Sequence, residues 1–158
     1  ETRGSLWITD KLSHTVLLVA APNQEGALLS SFVRKSETEV IPSINGEKLG
    51  ILIKVRVRGN LTEAQVYRDL AGEEDMQKIE RHMAAVIKEE MELAIERARA
   101  LEVDIFGFGE VFRRSYPETW EILEPQWHEL FPGVEASFDV EVTLERKGLL
   151  RRAVPFSL

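Results

Sequence analysis

Leu-Gly-Ile-Leu-Ile-Lys-Val-Arg-Val-Arg, residues 49–58, decides how this chain folds. Leu49, Ile51, Ile53, Val55 and Val57 alternate with Gly50, Leu52, Lys54, Arg56 and Arg58. Period two puts the first set on a buried face and the second in water. Just upstream, Asn45-Gly46 is the dipeptide that a tight hairpin turn favours. A second stretch repeats the pattern: Phe138, Val140, Val142 and Leu144 alternate with Asp139, Glu141, Thr143 and Glu145. The wet faces are opposite in sign, Lys54/Arg56/Arg58 against Asp139/Glu141/Glu145. The two strands are therefore predicted to lie side by side, their charges paired across the sheet.

Outward from these strands the periodicity changes. Thr15–Ala20 is a short apolar run closed by Pro22-Asn23, and residues 27–41 alternate loosely until Pro42, which is expected to end them. From Met76 through Ile79, Met83, Val86, Ile87, Met91, Ala94, Ile95 and Ala98 to Leu101, apolar residues step by three and four, the spacing of a long helix. Glu73, Glu74 and Asp75 stand at its start, where negative charge suits the helix dipole. Residues 105–115 read as a second helix, and Pro117 suits the first turn of a third. Pro125 should kink or restart that third helix before Pro132-Gly133 closes it.

The predicted fold class is α+β, in the order β-β-β-α-α-α-β. About four strands form an antiparallel sheet, with one long and two shorter helices packed on one face. The expected organisation is a single domain over residues 1–158, with 1–12 leading in from a preceding domain.

Composition narrows the function. The chain has 158 residues, 44% hydrophobic and 30% charged, an ordinary globular balance. A net charge of −7 argues against a nucleic-acid surface. With no cysteine there is no disulfide framework, thiolate metal site or cysteine nucleophile. No stretch has the length of a membrane helix. The chain opens at Glu1, so any targeting or anchoring signal is expected upstream.

Residues 104–120 concentrate the unusual chemistry. Phe108, Phe112, Tyr116 and Trp120 recur every four residues, an aromatic ridge on helical geometry. Gly107 and Gly109 lack the third glycine and preceding strand of a dinucleotide fingerprint. Their expected role is steric, letting this helix approach the long one. His14, His82 and His128 are scattered without metal-ligand spacing, so no metal or cofactor is expected. Glu89, Glu90, Glu92 and Glu96 fall on the polar side of the long helix, interleaved with Lys88, Arg97 and Arg99, and read as a solvated face. Glu110 borders the ridge, but a general acid there would need a second carboxylate nearby. No catalytic residue is assigned. Arg113, Arg114, Tyr116 and Trp120, with Arg3 and Trp7, are the candidate partner-contact residues.

Asp104-Ile-Phe-Gly-Phe-Gly-Glu110, Tyr116-Pro117 with Trp120, Trp127 and Phe131-Pro132 resemble the C-terminal domain of the Ger(x)C spore germination lipoproteins. Glu1-Thr2-Arg3-Gly4 with Trp7 is similar to the stretch that leads into that domain. The likeness runs through essentially the whole chain, and Asp104, Phe106, Gly107, Phe108, Gly109 and Glu110 are its structural motif. It implies a non-enzymatic C subunit of a spore germinant (nutrient) receptor, needed for assembly or signalling in nutrient-triggered germination. It further implies a place at the outer face of the spore inner membrane, held by a lipid on an upstream cysteine, beside the membrane A and B subunits. The alternative reading is a domain that binds a small-molecule germinant directly, which requires a concave pocket near the ridge.

Overall fold

The computed structural model describes residues 2–21, 26, 28–61 and 72–145. The chain runs α1 (Thr2–Ile8), β1 (Thr15–Ala20), β2 (Leu28–Asn45), β3 (Lys48–Leu61), α2 (Glu73–Ala100), α3 (Phe108–Ser115), α4 (Pro117–Leu123), α5 (Trp127–Leu130) and β4 (Glu135–Leu144). Short 3₁₀ turns at Glu124–Gln126 and Phe131–Gly133 flank α5. Pro125 thus restarts the third helix, as its missing N–H requires.

The sheet has four strands in the order β1-β2-β3-β4. The first three are antiparallel, and Gly46, at φ 62°, turns the β2–β3 hairpin. β4 joins β3 in parallel, so the sheet is mixed rather than wholly antiparallel. The reason lies in lengths. β3 has 14 residues and advances about 46 Å at 3.3 Å per residue. α2 has 28 and returns about 42 Å at 1.5 Å per residue. The chain therefore re-enters the sheet at the end where β3 began, with Glu135 opposite Gly50.

β2 does not stop at Pro42, which faces Ile51 in the register. β1 covers only the 28–33 part of β2, so at Pro42 the strand lies on an outer edge. There a missing N–H costs nothing, and the Pro42 carbonyl accepts from the Tyr116 hydroxyl at 3.4 Å.

The expected charge pairing of β3 and β4 is present. Lys54 stands opposite Asp139 and Arg56 opposite Glu141, and the Arg56 guanidinium reaches Asp139 at 2.8 Å and Glu141 at 3.0 Å. Glu145 pairs instead with Arg34 of β2, at 2.5 Å. The opposite face is the core. Ile51, Ile53, Val55 and Val57 of β3 pack there with Ile79, Met83, Ile87 and Met91 of α2, all at most 1% exposed.

Candidate functional site

The motif of residues 104–110 is built by two successive backbone devices. α2 ends in a Schellman turn, with Glu102 at positive φ: its N–H bonds to the Arg99 carbonyl at 3.0 Å, and the Val103 N–H to that of Ala98 at 3.1 Å. The turn delivers Asp104 to the start of α3. Its Oδ1 accepts from the Phe108 N–H at 3.0 Å and its Oδ2 from the Gly109 N–H at 2.7 Å. A carboxylate on the first free N–H groups of a helix satisfies them and faces the positive end of the dipole. Gly107, at φ 77°, supplies the left-handed step between them.

Asp104 also anchors the aromatics, because its Oδ2 accepts from Trp127 Nε1 at 3.1 Å. Trp127 meets Trp120 edge-on at 5.1 Å between centroids, Phe112 at 5.5 Å and Phe131 at 6.4 Å. Phe108, Phe112, Trp120 and Phe131 are buried, and Trp127 and Tyr116 half-buried. The ridge is not continuous. Tyr116, at φ −135° and ψ 63°, breaks the helix, so the four rings span α3 and α4 and close around Trp127. Gly109 permits this: a Cβ there would lie 2.9 Å from both Trp120 Cη2 and Trp127 Nε1. Neither glycine lets this helix approach the long one as expected: a Cβ at Gly107 would meet nothing within 4 Å, and the partner that Gly109 admits is the tryptophan pair.

A second carboxylate performs a matching task across the fold. Glu90 of α2 accepts Arg3 Nε on both oxygens at 2.9 Å, and Trp7 Nε1 at 2.9 Å. Trp7 is fully buried. Between them Gly4 lies against α2, where a Cβ would collide with the Glu90 carbonyl and sit 2.9 Å from Ala94 Cβ. Glu90 is therefore not part of a solvated face, and Gly4 is the glycine that lets a helix touch α2. Both were hidden in the sequence, since 83 to 87 residues separate the partners.

The six candidate contact residues fall into different settings. Arg3 is tied to Glu90, and Trp7 and Trp120 lie in the core, so neither indole is offered to a partner. Tyr116 is half-buried against β2. Arg113 and Arg114 remain at the surface with Glu110. The hydrogen bond from Arg113 holds the Glu110 carboxyl below its ordinary range, the opposite of what a general acid needs. Among the described residues no three metal-ligating side chains converge. One depression of about 160 Å³ lies over the outer sheet face between Lys35, Arg58 and Glu141. No helix of the described residues is long and apolar enough to cross a membrane.

Comparison with known proteins places this sequence. A family model described as spore germination B3/GerAC-like, C-terminal, matches residues 1–148. The chain belongs to that family, the C-terminal domain of Ger(x)C spore germination proteins. It is 25% identical over 150 residues to spore germination protein KC of Bacillus subtilis (strain 168), covering 94% of this chain and 37% of that protein. The putative spore germination protein YfkR of the same organism is 24% identical over 151 residues, covering 96% of this chain and 39% of that protein. The chain thus spans well under half the length of these relatives. The crystal structure of the GerBC protein superposes with a TM-score of 0.81 at 18% identity, over 92% of this chain and 45% of that one. That likeness confirms the α+β fold.

Proposed function

We propose that this chain is the C-terminal domain of the C subunit of a spore germinant receptor, and that it acts by assembly rather than by catalysis. The observation that carries the reading is the family match through residues 1–148. The use of the polar and aromatic side chains supports it: Asp104, Glu90 and all three tryptophans are engaged in packing the domain. In this reading a lipid on an upstream cysteine holds the protein at the outer face of the spore inner membrane, beside the membrane A and B subunits.

Two measurements test the proposal. Deleting the gene in the spore-former that carries it should abolish the response to one class of nutrient and deplete the partner subunits from the inner-membrane fraction. Spores that germinate normally and retain those subunits would refute it. An NMR amide titration with amino acids, nucleosides and sugars at millimolar concentration should give no saturable shifts. Saturable shifts around residues 104–120 would make the domain a germinant sensor instead.

A further inference from the structure

The two outer strands of the sheet are not equivalent. In the parallel β3–β4 ladder the Glu145 N–H bonds to the Gly59 carbonyl at 2.8 Å. This fixes the odd-numbered residues of β4 as those whose backbone groups face β3, because N–H and C=O of one residue point to the same side of a strand. The even-numbered residues then face outward along the free edge. Two side chains of α2 close its ends: Glu80 accepts from the Leu144 N–H at 2.9 Å, and Arg99 donates to the Val134 carbonyl. Between these plugs the backbone groups of Ala136, Phe138, Val140 and Val142 have no partner in the sheet among the described residues.

The same residues turn their side chains toward α2, yet Ala136, Phe138 and Val140 are only half-buried, whereas Ile51, Ile53 and Val55 beside them on β3 are at most 1% exposed. The helix flank and the strand edge do not close on each other. Three depressions of about 190, 230 and 420 Å³ follow one another along the seam, from Phe138 past Val140 to Leu144. On the α2 side their walls carry four acids, Glu73, Glu80, Glu92 and Glu96, against the two bases Arg81 and Arg99.

We infer that the seam between α2 and β4 is a docking site for an extended segment of another protein, which adds a fifth strand beside Ala136–Val142. Main-chain bonds to an open edge give such a complex its affinity, and alternate side chains entering pockets give it specificity. Period two then dictates the chemistry of the partner: apolar residues toward the seam, alternating with others on the outer sheet face, beside the exposed Asp139 and Glu141 of β4. The carboxylates of Asp139 and Glu141 select lysine or arginine at those positions, and the acids of α2 reinforce the preference at the rim of the seam. The inference uses the sheet edge alone and stands apart from the receptor assignment.

The probe is a capped octapeptide alternating lysine with valine, titrated into the ¹⁵N-labelled chain, with a glutamate–valine octapeptide as its counterpart. The expected result is saturable shifts at Ala136, Phe138, Val140 and Val142, with the acidic peptide at least about tenfold weaker. Val140→Pro deletes one outward N–H without touching the β3 ladder, whereas Val140→Ala removes the side chain and keeps that N–H. Proline should abolish the shifts and alanine should retain them. Equal binding of both peptides, shifts on Thr15–Ala20 instead, or proline and alanine variants that bind alike would each overturn the inference. So would sedimentation showing that the free chain dimerises through β4, since the occupant would then be a second copy.

Discussion

Two carboxylates, Glu90 and Asp104, hold the two ends of this domain in nearly the same way and differ in how far they reach. Each accepts an indole N–H, from Trp7 at 2.9 Å and Trp127 at 3.1 Å. Glu90 joins partners 83 to 87 residues away, and Asp104 joins partners 4, 5 and 23 residues away. The first is a tertiary lock between α1 and α2. The second is a local helix start with a single tryptophan added. Loss of the lock should therefore release a separate element, whereas loss of the helix start should loosen a turn.

The largest effect is expected where the lock meets the core. Trp7→Ala removes a fully buried indole, a change that costs about 3–5 kcal/mol. In a chain of this size each kcal/mol lowers Tm by about 2–4 °C. Amide exchange should rise throughout α1 and along the facing turns of α2. A variant with wild-type Tm would show that α1 is not integral to the fold.

Gly4→Ala comes next, at about 3 kcal/mol, the upper end of the range for overpacking, because its Cβ meets a helix backbone that cannot turn away. Gly109→Ala meets ring atoms of Trp120 and Trp127 and should cost about 1–2 kcal/mol, since rings tilt more readily than helices move. Urea unfolding of both variants measures the order directly. A larger penalty at Gly109 would reverse the comparison and make the aromatic cluster the more rigid of the two.

Most of what lies near in sequence was legible. The alternation of residues 49–58 and 138–144, their complementary charges, the 28-residue helix and the proline breaks all follow from local periodicity and backbone chemistry. The parallel arrival of β4 was not read, although it follows from comparing the span of α2 with that of β3. Pro42 reads as a stop because the sequence does not show that β1 leaves that part of β2 on an edge. Glu90 reads as part of a solvated face because a helical pattern shows which residues are polar, not which of them a distant arginine will reach. Trp7 and Trp120 read as interface residues for the same reason: a buried indole and an exposed one are alike in sequence.

Asp104→Ala sharpens the contrast from the local side. It strips the acceptor from two helix-start N–H groups and from the Trp127 indole, at about 2 kcal/mol for a lost cap and an orphaned donor. Exchange should accelerate at Phe108 and Gly109 while α1 stays protected. Asparagine retains one acceptor oxygen and should recover about half the loss. If instead α1 opened with Asp104→Ala, the two hubs would be one cooperative unit.

The smallest effect belongs to carboxylates that stand outside both hubs. The hydrogen bond from Arg56 holds the Asp139 carboxyl below its ordinary range, and that from Arg113 does the same for Glu110. A carboxyl depressed in the folded state stabilises it above the unfolded pKa, about 3.9 for Asp and 4.3 for Glu. That contribution fades as pH falls through the lower folded value. Both groups are exposed, so the contribution is slight and salt screens it. Carboxyl ¹³C titration should show Asp139 and Glu110 protonating below the ordinary carboxylate range, and Arg56→Gln should return Asp139 alone to that range. If Asp139 kept its depressed value in that variant, Lys54 rather than the Arg56 bond would be its source, since Lys54 lowers the same carboxyl through space.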